Sequence, residues 1–142
     1  MPTRSGEATW HDAAPKGHGN VRTQSGSLEG VYSAPSRFED GDGTNPEELL
    51  GAAHASCYSM AFSLILGQND YTVESVDTRA EVTIEEIDGK PSITRSHLTT
   101  TGHIPDIDAT EFQRLAEEAK GFCPVSRALA GVDISLTAEL DQ

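Results

Sequence analysis

The stretch Gly43-Thr44-Asn45-Pro46-Glu47-Glu48-Leu49-Leu50-Gly51-Ala52-Ala53-His54-Ala55-Ser56-Cys57-Tyr58-Ser59-Met60-Ala61 decides how the chain is organised. Asn45 has the short polar side chain that caps a helix. Pro46 suits the first helical position, where its missing N–H has no intrahelical partner, and Glu48 stands where a capping-box carboxylate reaches back. Small and apolar residues continue to Leu66, and Gly67 is the expected C′ residue, which predicts a helix of roughly 20 residues and about 30 Å. So little of its surface is polar that it must be buried on most sides. Glu47, His54 and Cys57 interrupt the run.

Working outward, the N-terminal residues from Arg4 to Ser33 predict an antiparallel meander. Glu7–His11 is followed by a Gly-rich turn at Lys16–Asn20, then Val21–Ser25 and Leu28–Ser33. Pro35–Asp42 reads as irregular polar chain that delivers Arg37 shortly before the long helix. Beyond it, Val73–Ile87 alternates as a half-buried strand, Asp88-Gly89 signals a hairpin and Ile93–Ile104 returns. Asp108 opens a second helix with Glu111 in the capping-box position, and Gly121 ends it. Cys123-Pro124 opens a short third helix, and Val132–Leu140 alternates as a last strand. The fold class is therefore α+β, with antiparallel strands around a long central helix in a single domain spanning 1–142.

Composition narrows the partners. Ten basic against 23 acidic residues leave a net charge of −13, and there is no basic footprint for nucleic acid or an anionic membrane. The first residues lack the charged and apolar regions of a signal peptide, and the longest apolar stretch is too mixed to span a bilayer, so a cytoplasmic protein is expected. In a reducing compartment the two cysteines are more often free or redox-active than a structural bridge.

Cys57 and Cys123 therefore carry the candidate chemistry. A free cysteine on an apolar helix is commonly just a small hydrophobe. Cys123, however, sits at a predicted helix start, where backbone N–H groups favour a thiolate, and two thiols are the minimum for reversible oxidation through a sulfenic acid. Arg37 is a cation suited to holding a thiolate, and Glu47 is a carboxylate suited to orienting the guanidinium. Glu47 precedes Cys57 by ten positions, about 80° around and roughly 15 Å along the helix, so a folded-back Arg37 must link them. Two other readings stand beside this one. His54, one turn before Cys57, allows the Cys/His dyad of a thiol hydrolase. A non-catalytic binding protein would merely bury both cysteines. No zinc-type ligand spacing occurs, and His11, His18, His97 and His103 read as surface residues.

Arg37-Phe38-Glu39, Gly43–Leu49, Gly51–Ala55, Cys57–Ala61 and Gly121-Phe122-Cys123-Pro124-Val125-Ser126 together resemble the OsmC branch of the OsmC/Ohr hydroperoxide reductases over nearly the full chain. The resemblance implies an OsmC-like fold that is an intertwined homodimer with active sites at its interface. It implies that Cys57 is the peroxidatic nucleophile and Cys123 the resolving cysteine, that Arg37 activates the thiolate, and that Glu47 holds Arg37 closed. The reaction implied is reduction of organic hydroperoxides, and of hydrogen peroxide less well, through a Cys57–Cys123 disulfide. An external dithiol, dihydrolipoyl groups among the candidates, reduces that disulfide, and no metal, haem or flavin is required. Ala53, Met60, Ala61 and Phe62 are the apolar residues expected to solvate an alkyl chain.

Overall fold

Residues 1–142 are described by a computed structural model, which divides into two compact units, Met1–Leu49 and Leu50–Gln142. In the first, β1 (Gly6–His11), β2 (His18–Thr23) and β3 (Glu29–Tyr32) form the expected antiparallel meander in the order β1-β2-β3. The segment expected to be irregular instead contains a short helix, α1 (Ala34–Phe38). Ser33 caps it through the Ser36 N–H, and Ser36 Oγ returns to the Ser33 N–H, a complete capping box formed by two serines. Five residues are too few to show helical periodicity, which is why only the cap chemistry marks it.

The long helix, α2 (Pro46–Gln68), begins where its residues dictate: Asn45 Oδ1 accepts the Glu48 N–H at 2.8 Å. The Glu48 carboxylate does not complete the box; it accepts the Thr44 hydroxyl at 2.7 Å. The helix also runs past Gly67. Asp70, at φ 65°, takes the left-handed C′ position, and Tyr71 N–H to Leu66 O (3.1 Å) with Asp70 N–H to Gly67 O (3.1 Å) closes a Schellman motif. By length and composition alone α2 could cross a bilayer, because the interruptions expected to prevent this are too few. Its packing is that of a core helix. Tyr58, Ala61, Phe62, Ile65 and Leu66 are buried in the main apolar cluster with Leu98, Phe112 and Leu115.

In the second unit β4 (Ser75–Ile87) and β5 (Lys90–His103) form a long hairpin whose turn residues Asp88 and Gly89 both have positive φ (52° and 75°), the geometry that matches strand twist. Next come α3 (Ala109–Phe122), capped by Asp108 through the Glu111 N–H, then α4 (Pro124–Ala128) and β6 (Asp133–Asp141). The α+β class stands, with one departure from antiparallel pairing. β6 lies parallel to β5, with Ser96 opposite Ile134 and Gly102 opposite Leu140. The physical reason is the connection: α3 and α4 form a crossover long enough to return the chain to the same end of the sheet. On the face of β5 that carries Ser96, Leu98, Thr100 and Gly102, all buried, the ring of Phe112 occupies the space over Gly102, where an added Cβ would lie 2.6 Å from it. Phe112 in turn meets Phe62 with ring centroids 5.3 Å apart.

In the first unit Gly43, at φ 112°, lets the chain pass so close to Val31 O that a Cβ would lie 2.5 Å away, while Thr44 N–H bonds the same oxygen at 2.8 Å. Gly43→Ala is expected to cost about 2 kcal/mol from the disallowed backbone alone, read as a lower denaturation midpoint; an unchanged midpoint would show that this passage relaxes freely.

Candidate active site

Two pairs of the sequence-predicted residues meet, one in each unit. In the first, α1 is fastened to the start of α2: Ser36 Oγ donates to Thr44 O at 2.7 Å and Asn45 Nδ2 donates to Ser36 O at 3.0 Å. This brings the last turn of α1 to the first turn of α2. Arg37 donates to Glu47 through Nε (3.0 and 3.2 Å to the two oxygens) and through a terminal nitrogen (2.7 Å). Glu47 is nearly covered, its side chain 8% exposed, whereas the Arg37 side chain is 36% exposed. Forked, charge-assisted geometry of this kind fixes the plane of the guanidinium and leaves its remaining N–H groups for another partner. The Phe38 ring lies 5.4 Å from the guanidinium carbon, and an apolar recess of about 220 Å³ beside it is lined by Trp10, Tyr32, Ala34, Arg37 and Phe38 among others.

In the second unit Cys57, half-buried on α2, neighbours the fully buried Cys123 at the N-cap of α4; both are free thiols. Burial pushes the Cys57 thiol above its ordinary range. The backbone N–H of Val125, in the first turn of α4, draws it down, and Cys123 pushes it up. An activated sulfur thus needs more than its surroundings in this unit supply. Ala53, Cys57, Met60 and Leu64 fall on one face of α2. Met60 (76%) and Leu64 (47%) are exposed large apolar side chains there, and Ala53 is exposed beside them. Ala61 and Phe62, expected among the alkyl-solvating residues, face the core instead. Positions three and four apart separate these two faces, which a nearly uniform apolar run conceals.

His54 is not placed to act as the base of a dyad. It is fully buried, with Nδ1 2.8 Å from Ser96 Oγ and Nε2 2.8 Å from Ser126 Oγ, so both ring nitrogens are engaged by hydroxyls. Desolvation lowers its pKa. Sequence reasoning missed Ser96 and Ser126. The one signal was their buried hydroxyls' need for a partner, and that surfaces only once β5, α4 and α2 are in place. Of the four histidines expected at the surface, His11 and His18 are exposed. His97 and His103 are half-buried, His97 2.6 Å from Ser135 Oγ and His103 between Asp77 (3.4 Å) and Asp141 (3.3 Å).

Residues 39–137 match the family of OsmC-like proteins. Among curated proteins the chain is similar to Peroxiredoxin OsmC of Escherichia coli, 43% identical over 138 residues that cover 96% of each chain. It is also similar to Organic hydroperoxide resistance protein-like 1 of Staphylococcus epidermidis, 32% identical across 86% of this chain and 87% of that one. Among solved structures an organic hydroperoxide resistance protein from Elizabethkingia anophelis superposes with a TM-score of 0.80 at 26% identity, covering 99% of this chain and 98% of that one.

The buried imidazole makes stability depend on pH. Its folded-state pKa lies below the unfolded value of about 6.5, so its contribution is complete above that value and is lost as pH falls toward the folded one. Melting temperatures of wild type and His54→Gln, compared from about pH 7 down to about pH 5, should show the wild type losing more on acidification; parallel curves would refute the assignment.

Proposed function

The chain belongs to the OsmC-like protein family, and from that premise we propose a cysteine-based peroxidase of hydroperoxide stress defence whose nucleophile is Cys57. The observation that carries the reading is the pairing of a half-exposed thiol with a buried one, Cys57 with Cys123, on an apolar helix face. The Cys57 thiolate attacks the distal oxygen of ROOH; the O–O bond breaks, ROH departs with a proton, and Cys57 is left as a sulfenic acid. Cys123 then attacks that sulfur, water leaves, and a Cys57–Cys123 disulfide remains for an external dithiol to reduce.

Because burial disfavours the Cys57 thiolate, a fixed cation is required, and in this reading Arg37 provides it. Arginine keeps its charge when partly desolvated and has donors to spare for a peroxide oxygen. Glu47 holds the guanidinium in one plane, as its forked bonds to Arg37 support. In this reading residues 1–142 act as one functional domain. Ala53, Met60 and Leu64 flank Cys57 and favour an organic over an inorganic peroxide. The same stripe, left uncovered in one chain, is the face that a second copy covers in a homodimer. A dithiol of dihydrolipoyl type is the proposed reductant, and the cytoplasm the proposed compartment.

Reduced protein treated with one equivalent of cumene hydroperoxide should lose two thiols per chain and two hydrogens of mass, faster than with hydrogen peroxide. Cys57→Ser should abolish turnover and Arg37→Ala should slow it roughly a hundredfold while the protein stays folded. Glu47→Gln should cost less than Arg37→Ala, because the cation remains. Thiols that persist in the wild type would instead support a binding protein with buried cysteines.

A further inference from the structure

His54 joins three elements through one side chain. It projects from α2 one turn before Cys57, its Nδ1 meets Ser96 of β5 at 2.8 Å, and its Nε2 meets Ser126 of α4 at 2.8 Å. All three residues are buried, and the hydrogen-bond partners of the imidazole are the two hydroxyls. Ser126 stands one turn after Cys123, so the His54–Ser126 bond ties the turn that carries the second thiol to the helix that carries the first.

The tie matters because, apart from it, α4 is held by the apolar packing of Cys123 and Val125, which is not directional. It is five residues long, its N-cap Cys123 makes no side-chain capping bond, and helices this short have no intrinsic stability. The imidazole is also a rigid strut: Ser96 on the sheet fixes one edge of the ring and leaves the opposite edge aimed at Ser126.

We propose that His54 is a positioning residue of the peroxidase cycle: through Ser126 it holds α4 where Cys123 can capture the Cys57 sulfenic acid before a second peroxide does. The inference rests on the Cys57–Cys123 reading above. Two fates compete for the sulfenic acid. In one, the Cys123 sulfur bonds to the Cys57 sulfur and water leaves. In the other, a second ROOH transfers one oxygen to Cys57, giving a sulfinic acid and ROH, a product thiols do not restore. The first step, attack on peroxide, does not involve the strut, so its rate is the control.

The test is the ratio of disulfide to sulfinic acid, read by intact mass after the reduced full-length protein receives a fixed excess of cumene hydroperoxide. Ser126→Ala cuts the strut at α4 and Ser96→Ala cuts it at the sheet, each removing one buried hydrogen bond of the ring. The expected result is a ratio lowered roughly five- to tenfold in Ser126→Ala, a smaller change in Ser96→Ala, and the wild-type rate of first thiol loss in both. His54→Gln, whose amide occupies the Nε2 position, should keep the wild-type ratio. His54→Asn, whose amide occupies the Nδ1 position, should behave like Ser126→Ala. This pair decides the matter should Ser126→Ala not fold. Equal ratios in folded Ser126→Ala and Ser96→Ala, or in His54→Gln and His54→Asn, would overturn the proposal. A wild type that forms no disulfide at all would instead overturn the reading on which it rests.

Discussion

Packing of the inward stripe of α2 is the interaction on which the second unit depends. Tyr58, Phe62, Ile65 and Leu66 bury their apolar surface against Leu98 of β5 and Phe112 and Leu115 of α3, each large side chain contributing about 2 kcal/mol or more. The Tyr58 hydroxyl reaches Ala116 O at 2.9 Å, so even the polar atom in this stripe is satisfied. Once the inward stripe is committed, the opposite stripe has no freedom: Ala53, Met60 and Leu64 are exposed, and Cys57 stands at the margin, half-buried against the edge of the core. The aromatic side chains that fix the inward stripe thereby also fix where the Cys57 sulfur stands.

That placement sets a chemical conflict. An apolar neighbourhood suits an organic peroxide, yet it opposes ionisation of the sulfur proposed to attack it, and burial accordingly raises the Cys57 thiol. The proposed mechanism therefore calls for a cation. The forked contact of Arg37 with a nearly covered Glu47 meets the requirements of such a charge: it is fixed in direction, it is neutralised on one edge, and the other edge is open.

Local chemistry was legible in the sequence. Asn45-Pro46, Asp88-Gly89, Asp108 and Cys123-Pro124 each mark the boundary they were expected to mark, because caps and tight turns are decided within a few residues. Features set by distant partners were not. The parallel pairing of β6 depends on where a crossover lands, and the role of His54 depends on hydroxyls 42 and 72 positions away. Gly67 misled for a different reason: nothing within 4 Å would hinder a Cβ there, so the helix had no cause to stop. Asp70, a turn later, bears the left-handed conformation in its place. The resemblance to a known family reached further than spacing did for Arg37 and Glu47, since α1, which brings them together, is too short to announce itself.

The parallel pairing of β5 and β6 has a consequence for how the pair of sulfurs meets the outside. The segment that carries Cys123 is sewn into one sheet at both ends, so it is no flap that lifts away, and Cys123 stays enclosed. A nucleophile arriving to open a bond between the two sulfurs finds a lopsided target. In the proposed cycle Cys57 is the accessible electrophile and Cys123 the sulfur that leaves, so the direction of exchange is set by topology.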